Sequence, residues 1–292
     1  MKVKRITLLI LTVAIVIAVA CSDVQQPEYM QPTEDIPESV QITVTPEPTP
    51  SPDPEPVDDH VWIQPDLEDE STSLESDRDK SIIIAIDPGH QRRGNSAQEP
   101  LGPGSSETKA MVASGTVGVA TNVPEYELTL EISLLLRDML IERGYEVFMI
   151  RDTHDVDISN KTRAEMAAES GAQIFVRIHA NGSADASVNG ILTISPTSNS
   201  PFIPHLSPSS FVLSHFILEE MIITTGANNM GIWETDTMTG INWSTIPVTI
   251  VELGFMTNPE EDRLMQTPEY QQKLVEGMAN GIDLFFNIDF GE

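Results

Sequence analysis

The chain has 292 residues, 45 of them acidic and 16 basic, for a formal net charge of -29. Nucleic-acid binding needs a basic patch, and this balance argues against it; excess acid favours solubility and weakens adsorption to anionic surfaces. Its single cysteine, Cys21, excludes an internal disulfide and with it a small stapled secreted scaffold.

At the amino terminus, Lys2, Lys4 and Arg5 precede an apolar run, Ile6 to Ala20, that is short for a membrane-spanning helix. Small residues Ala18 and Ala20 then lead into Cys21, which predicts a secretory signal over residues 1–20. A cysteine directly after a small residue resembles the lipobox of bacterial lipoproteins, with Ala18 in place of the usual leucine. That resemblance implies a lipidated Cys21 holding an exported chain on the outer face of the cytoplasmic membrane. An uncleaved anchor and simple secretion are the alternatives. With Cys21 lipidated, no thiol remains, so any metal site must use histidine, carboxylate and water.

Residues 21–80 change composition sharply. Prolines alternate with acids and threonines from Thr43 to Pro56, and Arg78 and Lys80 are the only bases. So little apolar surface cannot offset chain entropy, and the stretch reads as a disordered tether of polyproline II character. His60 falls within it and carries no functional expectation.

Residues 81–292 are long enough for one domain with a full core. Ile82–Ile86 is an all-apolar strand suited to a parallel sheet covered on both faces. Residues Gln91–Pro124 are rich in Gly, Ser, Thr and Ala and lack a helical period, which predicts a long loop shaping the site next to His90. Leu128, Ile132, Leu135, Leu136, Met139 and Leu140 make Glu127–Arg143 an amphipathic helix, stopped by Gly144. The reading continues with a strand over Glu146–Ile150 and a helix over Asn160–Ser170, ended by Gly171. Strands at Gln173–His179 and Gly190–Ile194 follow, then a helix at Ser209–Thr224, a strand at Pro247–Leu253 and a helix at Pro268–Phe286. Alternating strands and helices predict a three-layer α/β domain, a mostly parallel sheet flanked by helices.

In an open α/β sheet, the carboxyl ends of the strands gather along one rim where ligands bind. Asp87-Pro88-Gly89-His90 ends the first strand, His179 ends another and Glu252 lies at the end of a third. Two imidazoles and an acid on one rim are the parts of a metal-assisted hydrolase. A carboxylate should complete the ligand set. Glu125 precedes Leu128 and Ile132 by three and seven residues, in line with the buried stripe at the helix's amino end. Glu127 and Glu131 point away from that stripe and read as solvated. His154, His205 and His215 have no partner at metal spacing and read as surface or core residues.

Taken together, Asp87-Pro88-Gly89-His90, the helix opening Glu125-Tyr126-Glu127-Leu128, Gly144-Tyr145-Glu146-Val147, Ile178-His179-Ala180-Asn181 and Val251-Glu252-Leu253-Gly254-Phe255 resemble the zinc-dependent N-acetylmuramoyl-L-alanine amidases. The resemblance covers Ile82–Phe286. It implies one zinc ion held by His90, Glu125 and His179, with Glu252 as the catalytic acid/base. It also implies peptidoglycan as substrate, cut at the amide between N-acetylmuramic acid and L-alanine. The chain departs from the family in the long Gln91–Pro124 segment and in Arg177, where a smaller residue is common.

Two neutral imidazoles and one carboxylate leave zinc a fourth position for water. Glu252 would take the water's proton and deliver it to the leaving nitrogen. Asp87 and Asn181 are expected to orient the imidazoles. Arg151 and Arg163 could contact an anionic stem peptide or form structural ion pairs. The competing functions are a zinc peptidase on stem peptides and a wall-binding module without turnover. No separate wall-binding domain is visible, so targeting is expected from the lipid anchor and tether, with the chain a monomer.

Overall fold

The computed structural model describes residues 81–288. The expected signal, the tether, Cys21 and His60 lie outside the described residues. The chain enters through β1 (Ile83–Pro88), a hairpin of β2 (Asn95–Pro100) and β3 (Thr108–Val112), α1 (Glu125–Glu142) and β4 (Glu146–Met149). It continues through α2 (Asn160–Glu169), β5 (Ile174–Asn181), β6 (Ile191–Ser195), α3 (Ser207–Thr225) and β7 (Asn229–Glu234). It closes with α4 (Thr239–Asn242), β8 (Val248–Phe255), α5 (Pro259–Met265) and α6 (Pro268–Phe286).

Six strands form one sheet in the order β4-β1-β5-β8-β6-β7. β4, β1, β5 and β8 are mutually parallel, while β6 runs antiparallel to β8 and carries β7 parallel to itself. The sheet is therefore mixed and mostly parallel, between two helical layers. Alternation along the central strands serves both layers. Ile84 and Ile86 of β1 and Ile174, Val176 and Ile178 of β5 pack with Leu128, Ile132, Leu136 and Leu140 of α1 and with α3 and α6. Ala85 and Phe175 point the other way, against Ala164 and Ala167 of α2 and Ile241 of α4. Helices α3 and α6 touch backbone to backbone. A Cβ on Gly281 would lie 2.5 Å from the Ile217 Cα, and one on Gly277 2.6 Å from the Met221 Cα, so glycine at both positions is a packing requirement.

Two expectations need correction. Gln91–Pro124 is not wholly irregular, since β2 and β3 pair antiparallel within it, with Gln98 opposite Ala110 and Glu99 opposite Lys109. This ribbon is largely exposed on both faces, so it lacks the apolar alternation by which a strand is recognised. Strand β7 and the short helices α4 and α5 were not anticipated either. Asn229-Met230-Gly231-Ile232-Trp233-Glu234 edges the sheet beside β6 alone, and the helices are too short for a period to register.

Candidate metal centre

Three elements deliver their side chains to the carboxyl-end rim. His90 follows β1, His179 is in β5, and Glu125 is the first residue of α1. His90 Nε2 lies 3.1 Å from Glu125 Oε1, His179 Nδ1 lies 3.2 Å from the same oxygen, and the two ring nitrogens are 3.2 Å apart. His90 Nδ1 is 2.9 Å from the Ala113 carbonyl oxygen. A carbonyl can only accept, so Nδ1 carries the proton and Nε2 offers its lone pair to the centre. Glu125 is held by two backbone amides: Thr116 N–H donates to Oε2 at 2.8 Å and Ala180 N–H to Oε1 at 3.1 Å.

The protonation states suit ligation. Burial lowers the His179 pKa to about 4, outweighing its hydrogen bond with Glu125, so the ring is neutral near pH 7. Burial alone would raise Glu125, yet its two imidazole neighbours outweigh burial and hold it well below the usual carboxylate range. The His90 lone pair, the facing nitrogen of His179 and a carboxylate oxygen thus converge on one point, a donor set that suits a cation. Ligand atoms about 2.0–2.1 Å from a tetrahedral zinc are about 3.3 Å from one another, close to the observed triangle, so the three side chains fit zinc.

Glu252 stands opposite His179 across the β5–β8 ladder. Its carboxylate lines the same cleft as both histidines, and its buried Oε2 has no hydrogen-bond partner among the described residues. Burial first and the Glu125 carboxylate second raise its pKa to about 8, against the opposing pull of Arg177. In the metal-free protein the folded state therefore keeps a proton that an unfolded glutamate has released. That contribution to stability is complete below about pH 4.5 and is lost as pH rises through 8. Chelator-treated protein should melt progressively lower between pH 5 and pH 9, and Glu252→Gln should flatten that fall, melting several degrees higher than wild type at pH 9. An unaltered slope by calorimetry would show that another group is responsible.

Tertiary structure reassigns the supporting residues. Asp87 hydrogen-bonds to neither imidazole: its Oδ1 accepts from Arg163 Nη1 at 2.5 Å and its Oδ2 from Arg177 Nε at 2.8 Å. Asn181 Oδ1 accepts from the Gly182 N–H rather than from a ring. Arg151 and Arg163 are both buried. Arg151 donates to the Pro88 and Gly89 carbonyls, and Arg163 to those of Pro88 and His90. Their role is to brace the turn that holds His90 at a φ of 59°, a left-handed conformation costly for histidine. Gly89 has no room for a side chain, since a Cβ would lie 2.5 Å from the His179 ring. Sequence reasoning missed the Ala113 carbonyl and the Thr116 and Ala180 amides, because peptide groups leave no mark in residue identity. His205 and His215 are exposed, and His154 packs edge-on against Tyr126 and is not part of the His90–Glu125–His179 group.

Residues 84–283 match the family model for Amidase_3, described as N-acetylmuramoyl-L-alanine amidase. The chain belongs to this family. It is 28% identical over 211 residues to N-acetylmuramoyl-L-alanine amidase Rv3717 of Mycobacterium tuberculosis, covering 69% of this chain and 85% of that protein. It is 23% identical over 241 residues to the amidase AmiA of Salmonella typhimurium, covering 70% and 76%. Among solved structures, the amidase Ami1 of Mycobacterium smegmatis superimposes with a TM-score of 0.63 at 26% identity, covering 70% of this chain and 96% of that one.

Proposed function

We propose that the amidase reaction of this chain, hydrolysis of the amide joining N-acetylmuramic acid to L-alanine in peptidoglycan, runs at this rim. One zinc ion is held by His90, Glu125 and His179, and Glu252 moves the protons. The observation that carries the reading is the 3.1–3.2 Å triangle of lone-pair donors. A zinc ion held there would supply a Lewis acid for the scissile carbonyl and for the attacking water. Glu252 accepts the proton of the attacking water and passes it to the leaving nitrogen, which departs poorly until protonated. A carboxyl whose burial strengthens its hold on a proton suits the second task, and a nearby cation would draw its pKa back down from about 8. His90, fixed by the Ala113 carbonyl, and Glu125, fixed by two amides, keep the donors aimed without reorganisation.

Residues 1–20 serve export in this reading. Cys21 carries the lipid, residues 21–80 form the tether, and residues 81–292 act as a monomeric catalytic domain at the outer face of the cytoplasmic membrane. The order of basic start, apolar run, small residues and Cys21 supports it. A Cys21→Ala chain should leave the membrane fraction.

Digestion of purified peptidoglycan tests the chemistry. Mass analysis should find intact stem peptides with free L-alanine amino termini, lost with chelator and restored by zinc. Shortened stem peptides would point to a peptidase instead. Activity indifferent to chelator would remove the metal.

A further inference from the structure

Two lobes of the cleft meet at His90, His179 and Glu252, and their linings differ in charge. One lobe, of 370 Å³, is lined by Ser114, Thr116, Asn181 and the carboxylates of Glu125 and Glu252, with no lysine or arginine among the described residues. The other, of 360 Å³, contains Lys109 and Arg177, with Asn160 and the 237–240 turn beside them. Glu252, at the junction, is the one carboxylate in its lining.

Arg177 is unusual within the second lobe. Its side chain is only 4% exposed. Nε donates to Asp87 Oδ2 and Nη2 to Asn160 Oδ1, both at 2.8 Å. Nη1 has no hydrogen-bond partner among the described residues. Asp87 is shared with Arg163, so one carboxylate answers two buried guanidiniums, and a guanidinium cannot shed its charge. Lys109 adds an ammonium at the same lobe, with one hydrogen bond, to the Thr237 carbonyl at 2.5 Å. Gly240 makes room for the guanidinium, since a Cβ there would lie 1.9 Å from Arg177 Nη1. Arg177 lines this lobe, so its unpartnered Nη1 leaves a charged donor at the cleft, and the group that answers it there is an anion.

We infer that the Lys109–Arg177 lobe is a carboxylate subsite that receives the stem peptide, while the lobe on the other side, which has carboxylates but no lysine or arginine in its lining, receives the sugar. This rests on the amidase reading and adds an orientation and a specificity to it. Arg177 and His179 are two residues apart on the same face of β5, roughly 7 Å. A carboxylate on the residue after L-alanine lies roughly 6 Å from the scissile nitrogen when the peptide is extended. That carboxylate is therefore the group within reach. The subsite also answers an electrostatic difficulty: a chain of net charge -29 repels an anionic peptide at long range, so recognition must come from cations at contact distance.

The test uses two synthetic N-acetylmuramoyl-L-alanyl dipeptides, identical except that the carboxylate on the second residue is free in one and a primary amide in the other. The zinc-loaded full chain should cleave the free acid with a kcat/KM roughly 10- to 100-fold higher, the worth of a charge-assisted hydrogen bond, expressed mainly in KM. Arg177→Gln should bring the ratio near one, and Gly240→Ala, which displaces the fork without removing its charge, should also lower it. Lys109 is exposed, so Lys109→Gln tests the lobe even if the buried variants fail to fold, and should cut the ratio several-fold. Equal cleavage of both peptides by wild type overturns the subsite while leaving the amidase reading intact, as does a preference that survives both Arg177→Gln and Lys109→Gln. Cleavage of neither overturns the amidase reading and the subsite with it.

Discussion

Replacing Glu252 by glutamine should lower amide cleavage by roughly 10²–10⁴-fold, the usual worth of a positioned general acid–base, with zinc content and melting of the loaded protein close to wild type. Glutamine keeps the size of the side chain and one acceptor oxygen but can neither take a proton from water nor give one to the leaving nitrogen. The environment of Glu252 marks it for this task. It ends an apolar stretch of β8, faces the cleft beside both histidines, and has a buried oxygen with no partner among the described residues. An orphaned carboxylate of that kind costs the fold stability, and such perturbed groups cluster at functional sites. Zinc stoichiometry after exhaustive dialysis separates the roles. Loss of metal in the variant would make Glu252 a ligand, and retained activity would exclude it from proton transfer.

Asp87→Ala should have the largest effect on stability. Asp87 is fully buried, and Arg163 and Arg177, its two partners, are 1% and 4% exposed. Burial works against its ionisation, but the two guanidiniums prevail and lower its pKa to about 2. Without the carboxylate, two positive charges remain buried with none to oppose them, which costs about 3–5 kcal/mol. For a domain of this size the melting temperature should drop by roughly 10 °C. The same change should weaken zinc binding, because Arg163 also holds the carbonyls on either side of Gly89 and so fixes the His90 turn. Adding Arg177→Met to Asp87→Ala should recover part of the loss, since one uncompensated charge is removed. A single variant melting within 2 °C of wild type would show that the cluster contributes little.

Much of the fold could be read because its elements carry strong periods. The apolar run Ile82–Ile86 announces a strand covered on both faces, and the stripe Leu128, Ile132, Leu136 and Leu140 of α1 is fully buried as its spacing predicts. The β2–β3 ribbon escaped because both its faces meet solvent, and β7 because it lies beside a single strand. The triad was legible for a related reason: strand ends in a parallel sheet share one rim, so His90 and His179 could be placed together before any coordinates. Arg151 and Arg163 remained ambiguous, because a guanidinium reads the same in sequence whether it faces a substrate carboxylate or the carbonyls of a turn.

Residue identity alone determined the donor chemistry: two imidazoles and carboxylates at the ends of apolar strands and at the start of an amphipathic helix, in a folded region without cysteine. Only the tertiary structure decided which nitrogen of each imidazole faces the centre, that Asp87 serves the arginines rather than the rings, and that Arg177 keeps an unsatisfied donor beside the cleft. The setting of His90 and Glu125 turns on the Ala113 carbonyl and on the Thr116 and Ala180 amides. Every residue carries the same peptide group, so its role becomes visible only when the chain has folded around it.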